Sequence, residues 1–276
     1  AAEREHLALA AVSKRISDLE ALVGTTLLYR RPRGVELTPA GQAFLHHARR
    51  ILDNIERLHA ELSEYGEGVR GHVRIHSNTS AIIAFLPQDL SAFSRLYPEI
   101  KIDLQERVSS EIIAAVRDGL TDIGIFAGHV PAPDLQQLSY RHDRLVLMTP
   151  IDHPLAERES IAFNEALAFD FIGLQQDASL QSLLNEQANL AGKALRMRIQ
   201  VRSFDAICRM IHHGMGVGVL PEQTIYRDLG DLQLKSIPLS DPWAQRELVI
   251  GMRRYASLHV TARHLVDHLT QNTDER

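Results

Sequence analysis

Three groups of residues in this chain have the types and spacing to do chemistry. Ser13, Lys14, Arg15 and Ser17 lie within five positions, in a stretch whose apolar residues recur at helical spacing. Hydroxyls and cations clustered on a helix can bond phosphate oxygens and base edges, the chemistry of a helix laid in the DNA major groove. Arg30-Arg31-Pro32-Arg33 places three cations in four positions at a turn, suited to the phosphate backbone or the minor groove, where charge matters more than shape. Ser77-Asn78-Thr79-Ser80 follows an apolar run and precedes a helical pattern, so backbone N–H groups and hydroxyls there could hold an anion. Phe126, Gly128, His129 and Gln175 stand at the ends of strand-like runs, where open α/β sheets bind ligands, and Ser203-Phe204 opens a later helix in a similar place. A small carboxylate-bearing metabolite is the expected effector; ordinary helix capping is the plainer alternative for the hydroxyls.

Other chemistry is set aside. Gly214-Met215-Gly216-Val217-Gly218-Val219 lacks the dinucleotide spacing and precedes a strand where that fingerprint follows one. His264 and His268 stand four apart beside Asp267, but no third metal ligand is evident. The adjacent pairs His46-His47 and His212-His213 point to different sides of a helix. Cys208, among Ile207, Met210 and Ile211, reads as a core or half-buried thiol, with Arg209 and two histidines near enough to lower its pKa. No Gly-x-Ser-x-Gly elbow or Walker loop occurs, so no enzyme activity, metal or cofactor is expected.

The elements that must position these groups follow from periodicity. Residues 1–7 read as the end of a helix and 10–23 as a second, with Ala11, Val12, Ile16, Leu19 and Val23 on its apolar face and Gly24 at its end. Apolar stretches flanking Pro32 and Gly34 make a small hairpin with a cationic tip. Thr38-Pro39 caps and opens a long helix. Along it Phe44, Ala48, Ile51, Ile55, Leu58, Leu62 and Tyr65 follow one another at alternating spacings of four and three, a heptad seam suited to pairing with another helix, and Leu45 and Leu52 widen the stripe. Gly66, Gly68 and Gly71 end it as a hinge. Strands then alternate with helices to the C-terminus, implying a mostly parallel sheet in two lobes.

Composition agrees with a globular protein: 45% hydrophobic, 24% charged, and no apolar run of the roughly 18 residues a membrane helix needs. One cysteine permits no internal disulfide, as expected in a reducing cytoplasm, and no signal peptide opens the chain. The net charge of −5 divides unevenly: residues 1–50 carry eight Lys/Arg against five Asp/Glu, a basic head on an acidic body.

The order of motifs in residues 1–45 resembles the DNA-binding head of the LysR-type transcriptional regulators. The resemblance rests on Ala1-Ala2-Glu3-Arg4-Glu5-His6-Leu7, Ala11-Val12-Ser13-Lys14-Arg15-Ile16-Ser17-Asp18-Leu19-Glu20 and Leu37-Thr38-Pro39-Ala40-Gly41. Val116-Arg117-Asp118-Gly119 through Ile125, and Gly214 through Pro221, resemble units of the same family's sensor domain. Ala8-Leu9-Ala10 stands where members often carry Ser-Gln-Pro, and the family's first helix is expected to be missing here.

The resemblance implies a winged helix-turn-helix over 1–37, a linker and dimerisation helix over 38–66, and an effector-binding domain over 67–276. That domain would have the two-lobed, periplasmic-binding-protein-like type 2 α/β fold, with lobe I at about 72–145 and 247–276 and lobe II at about 146–246. DNA contacts fall to Ala10, Ala11, Ser13, Lys14, Arg15, Ser17, Arg30, Arg31, Arg33 and Thr38. Double-stranded operator DNA, a small-molecule effector, RNA polymerase and further copies of the chain, as a homodimer or homotetramer, are the expected partners. The alternative is a two-lobed solute-binding or sensor protein without DNA binding.

Overall fold

A computed structural model describes residues 9–31, 34–64, 71–225 and 232–271. The expected helix at 1–7, Pro32, Arg33, Tyr65, Gly66 and Gly68 lie outside the described residues. The chain divides into two compact units, residues 1–58 and 59–276, and each is described by itself.

The first unit opens with helix α1 (Leu9–Val23), followed by Gly24 in the left-handed region. Strands β1 (Leu28–Arg31) and β2 (Gly34–Leu37) pair antiparallel as the wing. Glu20 joins helix to wing: its Oε1 accepts the N–H groups of Leu27 (2.7 Å) and Leu28 (3.1 Å), and these bonds lower its carboxyl pKa. Helix α2 (Pro39–Glu64) starts at Thr38, whose hydroxyl accepts the Gly41 N–H (2.9 Å) and donates to the Thr26 carbonyl (2.8 Å). Gly41 is required by close approach, because a Cβ there would overlap the Leu27 carbonyl oxygen.

The second unit is built from strands β3 (Gly71–Ser77), β4 (Ile100–Glu106), β5 (Ile123–Ala127), β6 (Gln136–Pro150), β7 (Phe171–Leu174), β8 (Met197–Val201), β9 (Gly218–Pro221), β10 (Leu234–Pro238) and β11 (Gln245–Met252). Its helices are α3 (Thr79–Ala84), α4 (Leu86–Leu96), α5 (Ser109–Asp118), α6 (Phe163–Ala166), α7 (Ser179–Leu190), α8 (Phe204–His212) and α9 (Val260–Gln271). Lobe I is a sheet in the order β6-β11-β5-β3-β4. On one face Val73, Ile75, Ile123 and Ile125 pack with Leu86, Phe93, Leu265 and Leu269 of α4 and α9; on the other, Phe126 and Val249 pack with Ile112 and Val116 of α5. In lobe II, β6 pairs with β9 and β10, and backbone bonds between Ile172 and Val217 (2.8 Å) join β7-β8 to them. Its core includes Leu145, Leu147, Phe163, Phe171, Leu184, Ile207, Ile211 and Leu220.

β6 belongs to both lobes. Residues 136–144 pair with β11 in lobe I, and residues 145–150 with β9 and β10 in lobe II. Sequence patterning shows only the second half of β6 as a strand, because Gln136–Asp143 carries mainly polar side chains on a strand whose pairing, not apolar alternation, sets its conformation. The expectation of a mostly parallel sheet is corrected for the same reason. β3–β4, β3–β5 and β7–β8 are parallel, but β6 and β11, which carry the chain between lobes, run antiparallel to every strand they pair with. The helix read over 85–96 is α4, with Pro87 in its first turn, and a further short helix, α3, precedes it across Phe85.

Two buried polar networks fix lobe I. Asp89 of α4 receives both oxygens' worth of bonds from Arg141 (2.9 and 3.1 Å) and the Tyr140 hydroxyl (2.7 Å), while His268 Nε2 meets the Asp89 carbonyl (3.1 Å). Asp122 bonds the Arg74 backbone N–H (2.8 Å) and guanidinium (3.1 Å) and lies 3.5 Å from His259 Nε2. Burial alone would push the Asp122 carboxyl up, but bonds from His259 and Arg74, with their charges, together hold it well below the usual carboxylate range. A depressed folded pKa contributes stability above the unfolded value, near 3.9, that is lost as pH falls through the folded one. Denaturant midpoints measured from pH 5 downward should therefore fall below about pH 4, and the Asp122→Asn variant, less stable at pH 5, should show a shallower fall.

Candidate nucleic-acid interface and effector cleft

On α1 the side chains of Val12, Ile16 and Leu19 are half-buried, while Ala10, Ala11, Ser13, Lys14, Arg15 and Ser17 are exposed. The helix thus presents a continuous small, polar and basic surface. Arg30 of the wing extends it: its Nη2 donates to Ser17 Oγ at 2.8 Å, so strand and helix share one face. Arg31 is exposed but engaged, with its Nε 3.3 Å from Glu36 Oε2 and its guanidinium 5.7 Å from the Tyr29 ring centre. Arg33 lies outside the described residues. Thr38 is a correction. Its side chain is buried, and its hydroxyl is engaged by the cap of α2 and by the Thr26 carbonyl, so it offers DNA no side-chain contact.

On α2, Phe44 and Ala48 are half-buried, whereas Ile51, Leu52, Ile55 and Leu58 are 47 to 62% exposed, an apolar stripe on one chain. Leu62 lies in α2, with its side chain outside the described residues.

In the second unit the expected effector residues gather at strand ends but differ in what they offer. Ser77 is fully buried, and its hydroxyl donates to the Asn78 carbonyl (3.3 Å). Asn78 Oδ1 caps α3 by accepting the Ala81 N–H (3.0 Å), and the Thr79 hydroxyl donates to Glu106 Oε1 (2.5 Å). Ser80 is buried at the first turn of α3. Gln175 Oε1 accepts from Arg202 Nε (2.7 Å), and Ser203 caps α8 by accepting the Ala206 N–H (3.4 Å). Two aromatic residues are corrections: Phe126 is fully buried between the sheet and α5, and Phe204 lies in the lobe II core. Strand ends covered on both faces bury their aromatics whatever their nearness to a cleft.

Gly128 donates its N–H to the Glu247 carbonyl (2.8 Å), which extends the β5–β11 ladder by one bond and sets His129 over lobe II. There His129 bonds the Ser179 backbone at the start of α7; burial, then the Arg246 charge, lowers its pKa. Beside this, Ser109 Oγ of α5 donates to Ser179 Oγ of α7 at 3.2 Å, a direct bond between lobes. Behind it lies the fully buried ion pair of Arg246 on β11 with Asp143 on β6. Burial outweighs the Arg246 charge and raises the Asp143 carboxyl. Sequence reasoning missed Ser109, Ser179 and this pair. The only available signal was a serine opening each helix, which capping explains equally well.

The remaining candidates are structural. His264 stacks on Tyr97 (5.0 Å between ring centres), and His268 packs on Phe93. Among the described residues no group of three or more His, Cys, Asp or Glu could hold a metal, and no helix is long and apolar enough to cross a membrane. Cys208 is buried, and burial followed by the Asp205 charge pushes its thiol up to about 11. Arg209, expected to lower it, is instead paired with Asp205 (2.9 Å).

A winged helix-turn-helix bearing a basic face, followed in the chain by a two-lobed α/β domain with a polar cleft, defines a DNA-binding regulator with an effector-binding domain. Residues 1–42 match the bacterial regulatory helix-turn-helix proteins of the lysR family, and residues 66–274 match the LysR substrate binding domain. The chain belongs to the LysR family of transcriptional regulators. It is 28% identical to the transcriptional dual regulator GltC of Bacillus subtilis over 281 residues, spanning 98% of this chain and 93% of that protein. Full-length CbnR complexed with its target DNA has a similar fold (TM-score 0.72, 18% identity, 99% of this chain and 93% of that one). So does the regulatory domain of Synechocystis PCC6803 CcmR in complex with 2-PG (TM-score 0.68, 22% identity, 75% of this chain and 99% of that one).

Proposed function

We propose that this regulator contacts operator DNA through Ser13, Lys14, Arg15 and Ser17 of α1, with Ala10 and Ala11 allowing close approach and Arg30, Arg31 and Arg33 of the wing following the backbone. The observation that carries this reading is the Arg30–Ser17 bond, which makes one surface of helix and wing. Two chains pair through the α2 stripe of Phe44, Ala48, Ile51, Ile55, Leu58, Leu62 and Tyr65 and place two heads on the half-sites of a dyad-like operator. Full-length CbnR bound to its target DNA supports the same use of the shared fold. The protein acts in the cytoplasm, where it modulates access of RNA polymerase, and it is not an enzyme.

The effector is a small anionic metabolite held in the cleft by Ser77, Asn78, Thr79 and Ser80 of lobe I and by Gly128, His129, Gln175 and Ser203 around it. The CcmR regulatory domain in complex with 2-PG supports a small-molecule ligand for this fold. An effector acts only by binding one arrangement of the lobes better than another.

The test is DNA affinity across a salt series, on a duplex selected from random sequence. Lys14→Ala should weaken binding about tenfold or more and reduce the salt slope by about one counterion. Arg31→Ala, already partnered by Glu36, should cost less. Unchanged affinity and slope in both would remove this face from the interface.

A further inference from the structure

A carboxylate lies beside the proposed DNA face, where an anion should repel phosphate. Glu20 stands three residues after Ser17, on the same side of α1. It is half-buried, and the Arg30 charge acts on it. An acid so placed weakens binding to a polyanion unless it does other work. What Glu20 does is hold backbone: its Oε1 accepts the N–H groups of both Leu27 (2.7 Å) and Leu28 (3.1 Å). The loop that leads there from α1, residues 24–26, is exposed and buries no side chain. Among the described residues the other side-chain bond between α1 and the wing is Arg30–Ser17, which is exposed.

A second observation concerns Leu27. Its side chain is 5% exposed, the one buried apolar side chain among the described residues of this unit. Its carbonyl accepts the Thr38 N–H (3.0 Å), and the same oxygen lies against Gly41, where it leaves no room for a Cβ. One residue thus meets α1 through Glu20 and the start of α2 through Thr38. Leu28 follows and opens β1, and Arg30 comes two residues later. Side chains two apart on a strand share a face, so whatever fixes the Leu28 backbone decides to which side Arg30 projects.

Resting on the DNA face proposed above, we infer that Glu20 is a positioning residue for DNA binding: it holds the root of the wing so that Arg30 reaches a backbone phosphate beside Ser17. Arg30 uses Ser17 Oγ as its acceptor, which leaves the Ser17 hydroxyl hydrogen to donate to the same phosphate. Glu20 itself touches no DNA. It is present for its oxygen and in spite of its charge, so Gln, with a like oxygen and no charge, can do the same work. Because Leu27 is also bonded to Thr38, the same anchor fixes the wing against the start of α2.

The experiment is a DNA titration of the full chain across a salt series, on a duplex selected from random sequence. It compares Glu20→Gln, Glu20→Ala, Arg30→Ala and the variant carrying both Glu20→Ala and Arg30→Ala. Arg30→Ala should weaken binding about tenfold and lower the salt slope by about one counterion. Glu20→Ala should weaken it about fivefold or more and lower the slope by the same amount, although it removes a negative charge. Glu20→Gln removes that charge too but keeps the acceptor, and should bind at least as tightly as wild type. Added to Arg30→Ala, Glu20→Ala should cost nothing further. A Glu20→Ala variant that merely loosened the fold would lose affinity at an unchanged slope, and would lose it again in the Arg30→Ala background; either result overturns the inference. So does an equal loss in Glu20→Gln and Glu20→Ala. Tighter binding by both Glu20 variants would make the carboxylate a simple repulsive charge, and would overturn the inference while leaving the DNA face intact. Arg30→Ala without effect on affinity or slope would remove the wing from the interface and the inference with it.

Discussion

Ile55→Glu is expected to convert the protein to a monomer at micromolar concentration and to lower operator affinity by at least a hundredfold. Ile55 is 47% exposed at the centre of a stripe with Ile51, Leu52 and Leu58 on α2. Burying an aliphatic side chain against a partner helix contributes roughly 1.5–3 kcal/mol. A symmetric pair loses that twice, about 3–6 kcal/mol in all, or on the order of 10²–10⁴ in the dimer dissociation constant. The carboxylates placed in the seam add a further cost. Heads that bind half-sites one at a time then lose the gain from linkage. Sedimentation velocity reads the assembly, and a DNA titration reads the consequence. Leu96→Glu, at a residue 65% exposed on lobe I, is the matched control and should change neither. A variant that remains dimeric would show that α2 is not the pairing element.

Asp89→Ala should lower the melting temperature by on the order of 10 °C. The substitution leaves Arg141, bonded to both Asp89 oxygens, as an uncompensated charge 16% exposed at its side chain, and leaves the buried Tyr140 hydroxyl without its acceptor. Breaking a buried pair in this way costs about 3–5 kcal/mol, and in a chain of this size each kcal/mol shifts the melt by roughly 2–4 °C. Burial and the Asp89 bond also push the Tyr140 phenol above its ordinary pKa, which favours the protonated, donating hydroxyl. Tyr140→Phe removes one bond and keeps the ion pair, and should cost about 1 kcal/mol. Equal losses in both variants would mean that the ion pair adds nothing beyond the hydroxyl bond.

The elements most legible in the sequence were those whose local pattern and tertiary role coincide. α8, with Phe204, Ile207, Cys208 and Ile211 on one side, carries its period in plain view, as does α2 with its heptad and Thr38-Pro39 start. The first half of β6, β10 and the four-residue α6 were not legible. Their residues are polar or few, and partner strands hold them in place. The candidate site divides in the same way. Lys14 and Ser17 could be read from residue type on a helical face. Ser109, Ser179 and Arg246 could not, because their importance lies in two helices and a strand from distant parts of the chain arriving at one point. Phe126 and Phe204 misled for a related reason: nearness to a strand end in sequence says nothing about which side of the sheet a ring will take.

β6 and β11 also determine what kind of signal the sensor domain can send. Among the described residues β6 carries paired backbone from one lobe to the next, and Asp143 and Arg246 fasten it to β11 where its partner strands change. A two-stranded ribbon pinned at its middle resists shear and stretching far more than it resists twist. The lobes therefore have one cheap coordinate, an angle, which a ligand touching both would set. Such a device would convert chemical concentration into torsion.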